Sequence, residues 1–188
     1  MKIRRSIFKT QTLIAGLILI PFLTLGQEEK SATMAKEYNL NTDNELKLSC
    51  YDSDLEIKTW SENKVKLTGE ITVRGGKSED RNKVIKAFQE PDVDKGLNSL
   101  KINTRFHKNF SQTPFGSSMK LNNNEKVNIK DFTANYTLWI PKSQNLTLEC
   151  KYNKIISDDL SGKVVIDIYN GEFKGGVFGK DYKIKLTY

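Results

Sequence analysis

Apolar and polar residues alternate along most of the chain beyond residue 37, and towards the C-terminus the alternation itself repeats. Leu146, Leu148 and Cys150 alternate with polar residues, Val164, Ile166 and Ile168 do so 18 residues later, and Tyr182, Ile184 and Leu186 a further 18 on. The phase extends past the triplets: Tyr152, Asn170 and Tyr188 correspond, as do Asn153 and Gly171, Ile155 and Phe173, and Leu160 and Phe178. A period of two predicts strands. A constant repeat length predicts stacked units, because a single unit of this size cannot bury its apolar side alone. Ser161 and Gly162 separate the first unit from the second, and Asn170 with Gly171 makes a bend inside the second. The expected fold is therefore all-β, a single-chain parallel β-solenoid of β-helix type with coils of about 18 residues. Asn-Gly is also a two-residue hairpin signal, so an antiparallel β-meander is the competing arrangement.

The first half of the chain echoes the second. Leu46, Leu48, Cys50, Leu55 and Trp60 stand 100 residues before Leu146, Leu148, Cys150, Ile155 and Leu160. Residues 45–73, with Leu55, Ile57, Val65, Leu67, Ile71 and Val73 as further inward positions, are expected to form the first coil or two. Residues 27–37 read as a flexible leader, so the solenoid domain covers 38–188 with an insertion at about 75–131. Inside the insertion, Ser78 as N-cap, acidic Glu79 and Asp80, and the apolar face of Val84, Ile85 and Phe88 predict a short helix from Glu79 to about Gln89, ended by Pro91. Leu100, Ile102 and Thr104 return to strand. His107 to Asn124, rich in Asn, Ser, Gly and Thr, reads as an exposed loop in which Phe110 and Phe115 either form a candidate contact surface or, as loop aromatics more commonly do, tuck back onto a sheet. Strands resume over residues 127–140 and close at Pro141.

Composition changes the picture mainly at the N-terminus. Lys2, Arg4, Arg5 and Lys9 precede an apolar run from Leu13 to Leu25, and small residues Thr24 and Gly26 mark a cleavage point. Residues 1–26 are read as a secretory signal peptide, cut before Gln27, leaving no stable membrane span. The signal carries four of the chain's 30 basic residues and none of its 23 acidic ones, so the net charge of +7 becomes +3 after cleavage. A mixed-sign surface of that kind argues against nucleic-acid binding, which needs clustered Lys and Arg. The expected address is outside the cytoplasm, in the periplasm, the envelope or the medium.

Cys50 and Cys150 both fall on inward strand positions; an oxidising compartment permits a disulfide between them, while two buried thiols acting as small apolar groups are the other reading. Their spacing fits no metal-ligand pattern, His107 is the single histidine, and no phosphate or dinucleotide motif occurs. No cofactor, metal or catalytic residue is expected. Asp158 with Asp159, and Asp52 with Asp54, are the available carboxylate pairs. They leave a carbohydrate-active enzyme, a glycosidase or lyase on the same scaffold, as the alternative function. Asp residues in turns ordinarily cap their own backbone.

The segment from Tyr136 to Gly175 resembles the repeat region of the DUF4097 family of proposed adhesins. The matching features are the strand ending in Ile140 and Pro141, the alternating strand from Leu146 to Cys150, the aromatic at Tyr152 before a turn, and Leu160 with Gly162 ahead of the next coil. The opening with Leu55, Ile57 and Trp60 is similar to that family's start, while Asn153 stands where a turn glycine is usual and the 107–124 loop is this chain's own. The resemblance implies a right-handed β-solenoid at the bacterial cell envelope, without catalytic residues. It implies a non-enzymatic, adhesin-like protein that contacts an envelope protein or glycan. The third repeat stops at Tyr188 with its outer half missing, so its rung is expected to be open, either in a fragment of a longer chain or under an edge-capping partner or a second copy.

Overall fold

The computed structural model describes residues 28–113, 116–179 and 181–188. In chain order the elements are β1 (Glu29–Asn39), β2 (Glu45–Tyr51), β3 (Asp54–Trp60), β4 (Lys64–Arg74), α1 (Ser78–Gln89), β5 (Asp92–Lys95), β6 (Ser99–Asn103) and β7 (His107–Thr113). They continue as β8 (Gly116–Leu121), β9 (Lys126–Val127), β10 (Asp131–Pro141), β11 (Asn145–Lys151), β12 (Lys154–Ser157), β13 (Val164–Tyr169), β14 (Glu172–Lys174) and β15 (Tyr182–Thr187). One six-stranded sheet has the order β1-β4-β10-β3-β12-β14, a second the order β15-β13-β11-β2-β6-β5, and a third is the small β7-β8-β9 sheet. Among the described residues the protein is thus mostly β with one helix, and its sheets are mixed.

The repeat phase is visible as strand pairing. Leu146 lies opposite Val164 and Val164 opposite Tyr182 in parallel ladders at the 18-residue offset. Leu46 lies opposite Leu146, and Cys50 opposite Cys150, at the offset of 100. In the first sheet the same offsets bring Leu55 to Ile155 and Ile155 to Phe173. Leu46, Leu48, Leu146, Leu148, Val164 and Ile166 are buried, and each such side chain removed from water contributes about 1.5–3 kcal/mol.

Asp52, Tyr152 and Asn170 occupy corresponding places after β2, β11 and β13 and share φ values of 51°, 57° and 51°. That left-handed residue turns the chain out of the second sheet into the first. Asn170-Gly171 therefore links strands of different sheets, β13 and β14, instead of closing a hairpin. Gly171 is required there, because a Cβ would stand 2.5 Å from the Asn153 carbonyl oxygen.

Four expectations change. Strand β4 is not a parallel coil strand: it runs antiparallel to both β10 and β1. Only residues 61–63 separate it from β3, and so short a link reverses a chain but cannot carry it through a crossover. The expected leader is also structured. Residues 29–39 form β1, an edge strand that turns Ala32, Met34 and Tyr38 inward, with Met34 and Tyr38 buried. The helix begins at Ser78 itself, and its N-cap is Lys77, which makes no side-chain cap bond. Finally, the segment expected to be a loop after His107 is the antiparallel β7–β8 hairpin, whose pairing shifts between His107 and Asn109. Phe110 packs on Phe132 at 5.5 Å, and Phe115 lies outside the described residues. Residues 1–26, read as a signal peptide, also lie outside them.

The segment expected as an insertion is partly continuous with the rest. Strand β6 pairs parallel with β2 and β5 borders β6 antiparallel, extending the second sheet. Helix α1 lays Val84, Ile85 and Phe88 into the core. Phe88 stacks on Tyr136 at 5.2 Å and meets Phe106 edge-on at 5.9 Å. Gly69 of β4 makes room for this, since a Cβ there would stand 2.8 Å from both the Phe88 and Tyr136 rings.

Candidate contact face

The second sheet turns one side to the core and the other to solvent, and registry sorts its outward side chains into rows. Tyr51, Lys151 and Tyr169 form one row across β2, β11 and β13. The Arg105 guanidinium lies 4.9 Å over the Tyr51 ring, and the Lys151 ammonium stands 5.9 Å from Tyr51 and 5.5 Å from Tyr169. Cation and aromatic ring thus alternate along the row. Tyr169 in turn meets Tyr152 edge-on at 6.2 Å. Arg105 is held in place by its Nε donating to the His107 carbonyl oxygen at 2.8 Å.

The adjacent row brings in two carboxylates, Glu149 and Asp167. Ser49, Glu149, Asp167 and Lys185 follow one another across four strands, and Lys185 lies 3.6 Å from Asp167. Two shallow grooves open on this side, one beside Lys47, Asp94, Lys101 and Thr147, the other beside Tyr51, Lys151, Asp167 and Tyr169; Glu149 borders both. The ion pairs Lys47–Glu45 at 3.4 Å and Lys101–Asp94 at 3.6 Å are solvent-exposed, and such pairs contribute at most about 1 kcal/mol each. Their effect is chemical more than structural. The side offers fixed carboxylates that accept hydrogen bonds from hydroxyls and fixed cations that attract anions, all on a rigid backbone.

Cys50 and Cys150 sit on the opposite side of the same strands, buried, directly paired, and present as free thiols. Burial pushes the Cys50 thiol up and raises Cys150 well above the ordinary thiol range, which makes both poor nucleophiles at neutral pH. Cys50 Sγ is 3.1 Å from Ser53 Oγ, and Asn153 Nδ2, which donates to the Ser53 carbonyl oxygen, lies 3.6 Å from the same sulfur.

His107, the first residue of β7, is buried, edge-on to Phe106 at 5.0 Å and to Phe132 at 5.4 Å. Its Nε2 stands 3.3 Å from Asp52 Oδ2 without hydrogen-bond alignment, and its Nδ1 has no acceptor among the described residues. Burial lowers its proton affinity, Asp52 raises it, and Arg105 lowers it again.

The other carboxylates serve backbone. Asp158 Oδ2 accepts from Thr59 N at 2.9 Å, Asp159 Oδ1 from Val177 N at 2.7 Å, and Asp54 Oδ1 from Lys154 N at 3.1 Å. No group of three or more His, Cys, Asp or Glu side chains is placed to hold a metal among the described residues. No helix among them is long and apolar enough to cross a membrane.

Reading the sequence for inward positions passed over the Arg105–Tyr51–Lys151–Tyr169 row. Its signal is present nonetheless: Tyr51, Lys151 and Tyr169 are separated by the same offsets of 100 and 18 that align the core.

No protein-family model and no curated protein matches the chain. Among solved structures, a proposed cell adhesion protein from Clostridium sporogenes is similar with a TM-score of 0.38 at 10% identity, the match covering 85% of this chain and 99% of that one.

Proposed function

We propose that this chain is an exported, non-enzymatic protein of the bacterial cell envelope, related to the DUF4097 proteins. In this reading its paired coils form a right-handed β-solenoid that presents the outward side of the second sheet to a glycan or an envelope protein. The observation that carries the reading is the registered row of Arg105, Tyr51, Lys151 and Tyr169 beside the carboxylate row of Glu149 and Asp167. The strands that carry these side chains are already paired, so the backbone loses little further freedom on binding, which favours a contact surface. The alternative of a carbohydrate-active enzyme gains no support from Asp158 and Asp159, whose oxygens accept bonds from backbone amides of neighbouring coils.

The test is binding of the purified exported protein to arrayed envelope polysaccharides and to solubilised envelope proteins, with Lys151→Ala/Tyr169→Ala as the comparison. At least a tenfold loss of binding with an unchanged circular dichroism spectrum is expected. Full binding by the double variant rejects this side of the sheet as the contact surface. Export is tested by intact mass: the secreted protein should begin at Gln27, and retained Met1 rejects the signal-peptide reading.

A further inference from the structure

Among the described residues, the second sheet ends on β15 at one side and on β5 at the other. Among the described residues, β15 pairs only with β13 and β5 only with β6. The two edges carry opposite charge in the same pattern. Strand β15 reads Lys183-Ile184-Lys185, and β5 reads Asp92-Val93-Asp94.

Registry makes this more than a likeness of composition. Followed through the ladders from β5 across β6, β2, β11 and β13 to β15, Asp94 shares a row with Lys183, Val93 with Ile184, and Asp92 with Lys185. A second copy displaced along the stack, with no rotation, would bring each acid beside a lysine and the two apolar residues side by side. The sign alternation already present within one copy would continue, since Asp167 is 3.6 Å from Lys185, and Asp94 is 3.6 Å from Lys101.

The ends are also stepped in matching directions. Counted from the linked strands β2 and β3, the first sheet has three strands towards β1 while the second has two towards β5; at the other end the first has two and the second three. The strand missing from the first sheet beside β15 is therefore the one that β1 of the next copy supplies. The rows of that sheet place Met34 of β1 in line with Phe173 of β14, apolar against apolar. At the β15 end, Tyr182 and Leu186 are left 57% and 44% exposed, and this junction would cover them.

We infer that copies of this chain associate head to tail, β15 of one adding antiparallel to β5 of the next, so that the second sheet continues from molecule to molecule. Like edges do not fit one another. Two β15 strands paired with their apolar residues aligned set Lys183 against Lys185, and two β5 strands oppose Asp to Asp, whereas unlike edges attract. Contacts between unlike surfaces related by translation do not close, so the assembly is open-ended. It is independent of what the outward side of the sheet binds.

Sedimentation velocity of the full exported chain at low salt tests this, with mass expected to climb past the dimer as concentration rises and to fall back in high salt. Lys183→Glu/Lys185→Glu and Asp92→Lys/Asp94→Lys should each weaken association by about tenfold or more per reversed pair. An equimolar mixture of the two should regain it, because both junctions in the mixture are again complementary. Lys183→Gln/Lys185→Gln, which removes charge without reversing it, should weaken association by a smaller factor and replaces any reversed variant that fails to fold. A wild-type chain that stays monomeric at every concentration overturns the inference. So does undiminished self-association of either folded reversed variant, or a mixture of folded variants that remains monomeric.

Discussion

Tyr152 holds a backbone conformation that its side chain resists. Its counterparts after the neighbouring strands are Asp52 and Asn170, both of types that enter the left-handed region readily, whereas Tyr152 has φ 57° with a bulky ring. Tyr152→Asn should therefore stabilise the protein by up to about 1 kcal/mol, read as a raised urea midpoint; an unchanged or lowered midpoint would show that the Tyr169 contact outweighs the strain. Gly69 is constrained from the other direction. Gly69→Val drives a branched side chain into the Phe88 and Tyr136 rings and should destabilise by about 1–3 kcal/mol, measured by the same unfolding curve. His107 brings pH into the balance. Burial depresses its folded pKa below that of a free imidazole, near 6.5. Above that pH both states are neutral there and nothing is lost. As pH falls through about 6.5 the unfolded chain takes up a proton that the native chain refuses, so stability declines until the folded pKa is passed. The urea midpoint should drop between about pH 7.5 and about pH 5, and His107→Phe should flatten that drop; an identical slope in the variant would remove His107 as its cause.

Legibility differs element by element for reasons that individual residues make plain. Strands β11 and β13 are readable because every inward position is apolar and a constant spacing separates them. Strand β1 is hidden by its own inward side: between buried Met34 and buried Tyr38 stands exposed Lys36, and Ala32 adds little apolar surface. The hairpin is hidden by the register shift between His107 and Asn109, which places inward His107 three residues from Phe110 and breaks the period of two. Its other strand does alternate, with Met119 and Leu121 buried, but over too few positions to stand out among Ser, Gly and Asn. Helix α1 is legible from Val84, Ile85 and Phe88, yet its partners are not, because the aromatic cluster draws Phe106 from one distant stretch of chain and Phe132 and Tyr136 from another. Phe88→Ala empties the centre of that cluster and should destabilise the protein by about 3–5 kcal/mol. A loss below about 1 kcal/mol in the unfolding curve would mean that the helix is not integral to the core.

At the scale of the whole molecule, the outward row of the second sheet is written in the chain but unreadable as a site, because its residues become neighbours only when strands 18 and 100 residues apart pair with one another. The buried thiols belong to the same geometry. If they stay reduced in the purified protein, alkylation should be slow in the native state and reach both Cys50 and Cys150 after unfolding without reductant. Absence of modification would reveal a bridge between them. The offset of 100 also sets an order in time. Strand β2 lies between β6 and β11, whose paired residues follow it by 54 and 100 positions, while β11, β13 and β15 are spaced by 18. Closing the longer loops costs more chain entropy, and distant pairings slow folding. During refolding, pulsed hydrogen exchange should find the β13 amides protected before those of β2, leaving the first strand of the second sheet waiting, unpaired, for the later part of the chain.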